Sequence, residues 1–301
     1  MRCFYPVTML IGVVLPFVVQ ARDVYYQGDL TPLNILPSFD KGYLAVYEPE
    51  HAISLYRPDG SLAYKVTARV PHATFIHVVN AAPDSDGSLA LAVEYKIDKS
   101  RGGGVAVFDP NGSQAAFIDT GADYAPTQVC FGPDHSIWAI GWRGWDFYST
   151  LTSTTDYFVL RNYARDGRLL GGSLRRSSFD QEPVGPIVGG WQLRIANDRI
   201  GAYFYTTSVL PFGIAHRAGQ WIETDLSGKV LRQVDTPQKS IRAFPGDGPL
   251  YALGYQGGYS VLDPVTNSWR AISAAGSLLG TDGDSLVLLE GTNRVVWSPL
   301  E

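Results

Sequence analysis

A two-part pattern that recurs six times along the chain constrains the fold more than any other feature of the sequence. Its first part is a short apolar run, found at Tyr43–Glu48, Leu89–Glu94, Ile137–Trp142, Ile200–Tyr205, Leu250–Tyr255 and Ser285–Glu290. Turns built from Asp or Gly precede five of these runs: Asp40-Lys41-Gly42, Asp86-Gly87, Asp134-His135, Asp247-Gly248 and Asp282-Gly283-Asp284. Asn197-Asp198 precedes the other, a chemically similar choice because Asn and Asp tolerate turn conformations.

The second part lies downstream and reads as a strand, a turn and a further extended run. Its copies are Ile53–Gly60, Val105–Gly112, Phe158–Gly167, Trp221–Gly228 and Tyr259–Asn267. Gly60, Gly112, Gly167 and Gly228 fall where a left-handed backbone costs least, and Asn267 is the next best residue for that conformation. Each copy therefore predicts a hairpin. An innermost strand ahead of each first run, such as Thr127–Gly132 or Ser240–Pro245, completes a four-stranded unit. The repeat recurs every 36 to 63 residues or so, within reach of a propeller blade carrying loop insertions.

Six such units predict an all-β, six-bladed β-propeller of four-stranded antiparallel blades. A β-sandwich would explain strands and turns but not six copies of one pattern. The last unit supplies only three strands, ending with Asn293–Trp297. Asp23–Tyr26, a strand-like run with no unit of its own, is expected to close the ring as the outer strand of the last blade. Composition agrees, with Gly 32, Pro 19, Tyr 17 and Trp 7 against Met 2.

The turn, the apolar run and the strand-turn-Gly-strand element resemble the six-bladed propellers of the NHL, TolB-like and SMP-30-like superfamily. The resemblance spans nearly all of the chain after residue 21 and implies a fold more than an activity. Lactonases of the SMP-30-like group use carboxylate and Asn metal ligands around the channel. Asn111-Gly112 sits instead in an outer hairpin turn, so that ligand set does not carry over.

Residues 1–21 read as an export signal, with Arg2 as the positive charge, Val7–Val19 as the apolar stretch and Val19-Gln20-Ala21 as the cleavage site. An apolar stretch of about thirteen residues broken by Pro16 is short for a membrane anchor, which needs ~20. The expected domains are thus a signal peptide over 1–21 and one propeller over 22–301, secreted or periplasmic, monomeric and without a membrane span after cleavage. Removing Arg2 leaves 23 basic against 29 acidic residues, a charge of −6, which argues against a generic nucleic-acid binder. Cys130 would then be the lone cysteine, in a strand-like run that favours a buried, unreactive thiol.

Loops joining second to third strands share one face of a propeller, and the longest are expected in three consecutive blades: Tyr95–Gly104, Arg143–Tyr157 and Thr206–Gly219. Trp142, Arg143, Trp145, Tyr148, Tyr157, Tyr205 and Tyr255 are the candidate binding residues, suited to a protein, peptide or carbohydrate ligand. Glu48, Glu94 and Glu290, at the ends of second strands in neighbouring blades, are candidate ligands for Ca²⁺ or Mg²⁺. Nucleophile-elbow, zinc-protease and phosphate-loop motifs are absent, and the five histidines are scattered, His72 and His77 flanking a strand near the channel. The expected function is an exported binding or interaction module rather than an enzyme. The alternative is a divalent-metal hydrolase or lactonase using Glu48 and Glu94.

Overall fold

A computed structural model of the chain describes residues 22–121, 124–142, 156–179, 187–210, 213–236, 241–244, 246, 248–253, 259–263, 265–272 and 276–300. After the edge segment β1 (Arg22–Tyr25), the chain forms blade after blade in sequence order. Blade 1 is β2 (Ser38–Asp40), β3 (Tyr43–Tyr47), β4 (Ala52–Tyr56) and β5 (Leu62–Thr67). Blade 2 is β6 (Phe75–Pro83), β7 (Leu89–Ile97), β8 (Ser100–Phe108) and β9 (Gln114–Gly121). Blade 3 is β10 (Ala125–Phe131), β11 (Ile137–Trp142), β12 (Phe158–Tyr163) and β13 (Leu169–Arg175). Blade 4 is β14 (Ile187–Ala196), β15 (Arg199–Leu210), β16 (Gly213–Asp225) and β17 (Val230–Thr236). Blade 5 is β18 (Ile241–Ala243), β19 (Leu250–Leu253), β20 (Tyr259–Asp263) and β21 (Ser268–Ile272). Blade 6 takes β22 (Ser277–Asp282), β23 (Ser285–Glu290) and β24 (Arg294–Pro299) from the end of the chain and β1 from its beginning.

The protein is thus a six-bladed β-propeller, each blade a four-stranded antiparallel sheet. β1 pairs with β24 in the register Arg22↔Trp297 through Tyr25↔Arg294, as the unassigned run near the N-terminus predicts. Side-chain alternation explains why the repeated runs are apolar throughout rather than at every second position. In β3, Leu44 and Val46 pack toward blade 6 while Ala45 packs toward blade 2. In β7, Leu89, Leu91 and Val93 face blade 1, whereas Ala90 and Ala92 face blade 3. Each blade is covered on both sides, so neither face is free to be polar.

Inter-blade cores run round the whole ring, including the junction between first and last blades. There Phe39, Leu44 and Tyr56 meet Leu279, Val287, Val295 and Trp297, with Tyr26 and Leu30 filling the seam. The outer hairpin turns repeat a second inter-blade contact. Gly112, Gly167 and Gly228 all have positive φ and pack on Tyr64, Ile118 and Ser173, outer-strand residues of the preceding blade. Gly60 does the same against β1: a Cβ there would stand 2.9 Å from the Val24 side chain and 3.0 Å from the Tyr25 carbonyl. β1 therefore receives blade 1 as every other outer strand receives its neighbour.

Two of the expected long loops are strands. β7 and β8 continue to the tight pair Ile97↔Ser100, and β15 and β16 continue to Leu210↔Gly213. Local chemistry accounts for the first: Gly102 has no Cβ, and one built there would fall 2.3 Å from the Tyr95 ring, so glycine lets that ring cover the strand. Glu94 and Tyr205 consequently lie within strands, not at their ends. Among the described residues, no helix is long and apolar enough to cross a membrane.

Candidate functional site

Antiparallel order places the first-to-second and third-to-fourth turns of every blade on one face, the turn face. The second-to-third hairpins emerge on the opposite, hairpin face. On the hairpin face, Trp142 closes β11 opposite Ala125, and Tyr205 lies opposite Gly219 within the long blade 4 hairpin. Tyr157 precedes β12, is half-buried against the core between blades 3 and 4, and accepts a 2.8 Å hydrogen bond from the Arg176 amide at its carbonyl. The side chains of Trp142 and Tyr205, and all of Arg143, Trp145, Tyr148 and Tyr255, lie outside the described residues.

Each of the three candidate metal-binding glutamates has its own surroundings. Glu48 accepts from the Ser54 hydroxyl at 2.9 Å and pairs with Lys65 at 3.6 Å. Glu290 pairs with Arg294 at 2.6 Å, and Arg294 also reaches Asp23 of β1 at 3.0 Å. Glu94 lies opposite His77 on the neighbouring strand; burial pushes its carboxyl pKa up, against the pull of His77 and Arg101. The three do not converge on one point. Among the described residues, the only three-ligand cluster of compatible spacing is Asp84, Asp86 and His135, on the turn face.

That cluster is a charge hub. The Asp84 side chain is fully buried and receives Lys41 Nζ at 3.1 Å, His135 Nδ1 at 2.6 Å and Arg165 at 2.8 Å, together with the Ser85 amide at 2.8 Å. Arg165 extends to Asp86 at 3.1 Å and Ser88 at 3.2 Å, and Lys41 also donates to the carbonyls of Phe131 and Gly132. Burial alone would raise the Asp84 pKa, but the His135 hydrogen bond, the Lys41 charge and the Ser85 amide hold it below the usual carboxylate value. With a lysine and an arginine already on the carboxylate, a metal ion would meet two fixed positive charges. The hub locks blades 1, 2 and 3 together instead. In the sequence Lys41, Asp86 and His135 stand out only as turn residues, and Asp84 and Arg165 do not stand out at all, because the partners are 43, 51 and 81 positions from Asp84.

The central channel carries a second ion pair. Arg194 of β14 approaches Asp40 of β2 to 3.5 Å and lines two cavities, one of 330 Å³ toward the turn face and one of 300 Å³ toward the hairpin face. Burial raises the Asp40 carboxyl pKa, while Arg194 and Lys41 oppose the rise. The hairpin-side cavity is lined by Tyr47, His77, Asn80 and Gln128 among apolar neighbours, a mixed surface suited to a small polar group.

Cys130, in β10, is buried, and burial with the nearby Asp40 charge pushes its thiol pKa far up. An inert thiol is expected: in residues 22–301, where Cys130 is the one cysteine, a thiol-specific reagent at pH 8 should label the unfolded chain stoichiometrically and leave the native protein unlabelled over the same period. Rapid native labelling would contradict the buried placement.

The fold and these two faces define the class, a six-bladed propeller with projecting hairpins on one face. No family model matches the chain, and no curated protein matches it. Among solved structures it is similar to the Dos1 propeller, at 13% identity over 92% of this chain and 82% of that one, with a TM-score of 0.49. BamB from Moraxella catarrhalis is similar at 13% identity over 87% of this chain and 69% of that one, with a TM-score of 0.38. BBS1N, solved in complex with ARL6DN, gives 13% identity over 86% of this chain and 74% of that one, with a TM-score of 0.46. At such identities no function is transferred, and the fold assignment rests on the strand order and the closed ring of cores.

Proposed function

We propose that the protein is an exported propeller-type binding module, residues 1–21 acting as a removable signal and the hairpin face of blades 2 to 4 receiving a protein, peptide or carbohydrate ligand. The observation that carries this reading is the inequality of the blades. β15 and β16 have 12 and 13 residues and β7 and β8 have 9 each, whereas β3 and β4 have 5 each. Among the described residues, the hairpins of blades 2 and 4 are the longest, and blade 3 sits between them, its inner strand packing on both β6 and β14. Its second-to-third connection brings Trp145, Phe147 and Tyr148 in sequence between Trp142 and Tyr157. An aromatic-rich connection in the sequence between two blades with long hairpins suits capture of a ligand by amphipathic contacts.

The hydrolase alternative has less support. Of its two ligands, Glu48 would have to release Lys65 before offering its carboxylate to a cation.

Immobilised residues 22–301, challenged with extract of the exported compartment, test the binding reading. Trp142→Ala and Trp145→Ala should each weaken capture of the recovered ligand roughly thirtyfold, a loss of about 2 kcal/mol, with thermal unfolding unchanged. Capture at wild-type strength by the double variant would refute the assignment of this face.

A further inference from the structure

Two histidines far apart in the sequence meet on the hairpin face. His51 ends the 3-10 turn Pro49–His51 between β3 and β4, where Glu50 and His51 both adopt positive φ, 61° and 58°. His77 is the third residue of β6, the inner strand of the next blade. Their Nδ1 atoms stand 3.3 Å apart, their ring centroids 5.0 Å apart and their planes at 87°. Both rings are exposed. Phe75 holds them from the side, stacked on His77 with an interplanar angle of 23° and edge-on to His51 at 6.0 Å.

This geometry matches that of two imidazoles sharing one metal ion. Metal–nitrogen bonds of about 2.0–2.1 Å at a tetrahedral angle place two nitrogens about 3.3 Å apart and their ring centres about 5.2 Å apart. A further donor stands beside His77. Glu94 is the cross-strand partner of His77, so the two side chains leave the same face of the sheet, and the carboxyl is half-buried. A left-handed backbone at a non-glycine residue also requires surroundings that hold it, and here it turns the His51 ring toward blade 2.

We propose that His51, His77 and Glu94 form a surface site for one borderline divalent transition-metal ion, Zn²⁺ or a close relative, leaving at least one coordination position open toward the hairpin face. Imidazole nitrogens select this class of metal over Ca²⁺ and Mg²⁺, which take oxygen donors. The site differs from an all-carboxylate site in ligands and in metal. It goes beyond the binding-module reading and stands without it: an ion at this position would add a Lewis-acidic contact point to the face.

The test uses untagged protein, residues 22–301, titrated with Zn²⁺ alone by calorimetry and with Co²⁺ alone by visible absorption. One equivalent is expected to bind, with the intense visible bands of four-coordinate Co²⁺. His77→Ala and His51→Asn should each weaken binding by about tenfold or more and abolish those bands, and Glu94→Gln should weaken it less. Asn is chosen at position 51 because it tolerates the left-handed backbone. His72→Asn, on another exposed histidine of the same region with φ 62°, should bind as wild type does. Thermal unfolding of the metal-free variants should match the metal-free parent, since both rings are exposed. Absence of a bound equivalent, or equal affinity in His77→Ala and wild type, would overturn the site.

Discussion

Replacing Asp84 with alanine should lower the unfolding free energy by about 3 kcal/mol and the melting temperature by roughly 5–8 °C. The buried carboxylate, in blade 2, gathers Lys41 from blade 1 and His135 and Arg165 from blade 3, and without it those groups lose the anion that they share. The expected cost sits at the low end for a broken buried ion pair, because Arg165 and His135 keep water contact at 34% and 48% exposure and Arg165 retains Asp86. Acid titration adds a second readout. The folded Asp84 pKa lies below its unfolded value of about 3.9, so its contribution is fully present above that value and disappears as pH falls through the folded pKa. The stability gap between wild type and Asp84→Ala should therefore be constant above about pH 5 and close below about pH 4. A gap that is absent at neutral pH would mean that the hub does not hold the blades.

The second large effect concerns the seam of the ring. Deleting 22–28 should destabilise the protein by at least about 4 kcal/mol, because it removes β1 and Tyr26 and leaves β24 as an open edge. Tyr26 is 3% exposed, meets Tyr56 edge-on at 5.7 Å and sends its amide to the Asn293 carbonyl at 2.8 Å. Tyr26→Ala alone should cost about 3 kcal/mol, a cavity effect. Its hydroxyl is buried without a hydrogen-bond partner, so Tyr26→Phe should be neutral or slightly stabilising, within about 1 kcal/mol. Denaturant unfolding of the three variants checks this order. Equal stability for the deletion and the parent would mean that the ring closes elsewhere.

The repeated framework was legible because it depends on local chemistry. Every one of the six apolar runs supplies a second strand, and Gly60, Gly112, Gly167, Gly228 and Asn267 all adopt the left-handed backbone that their turns demand. The closing strand was legible for a different reason: blade 6 had three strands and Asp23–Tyr26 had no blade. Hairpin length was not legible. Tyr95–Gly104 carries Lys96, Asp98, Lys99 and three consecutive glycines, a loop-like composition, yet Gly102 makes room for the Tyr95 ring and Gly104 for the Phe117 ring, and the strands continue. The Asp84 hub and the Arg194–Asp40 pair were invisible for a third reason, since their partners converge only when the ring has formed. His51 and His77 share that property: a turn residue in one blade and an inner-strand residue in the next become neighbours through blade packing alone.

Closure of the ring between the two ends of the chain is the claim on which the two faces and the blade order depend. Amide hydrogen exchange across Arg294–Trp297 in residues 22–301 tests it most directly. A strand paired on both sides has every interior amide bonded, so uniform protection across these residues, comparable to that in β23, is the predicted result. An alternating pattern, with every second amide exchanging as freely as in an exposed edge strand, would contradict it.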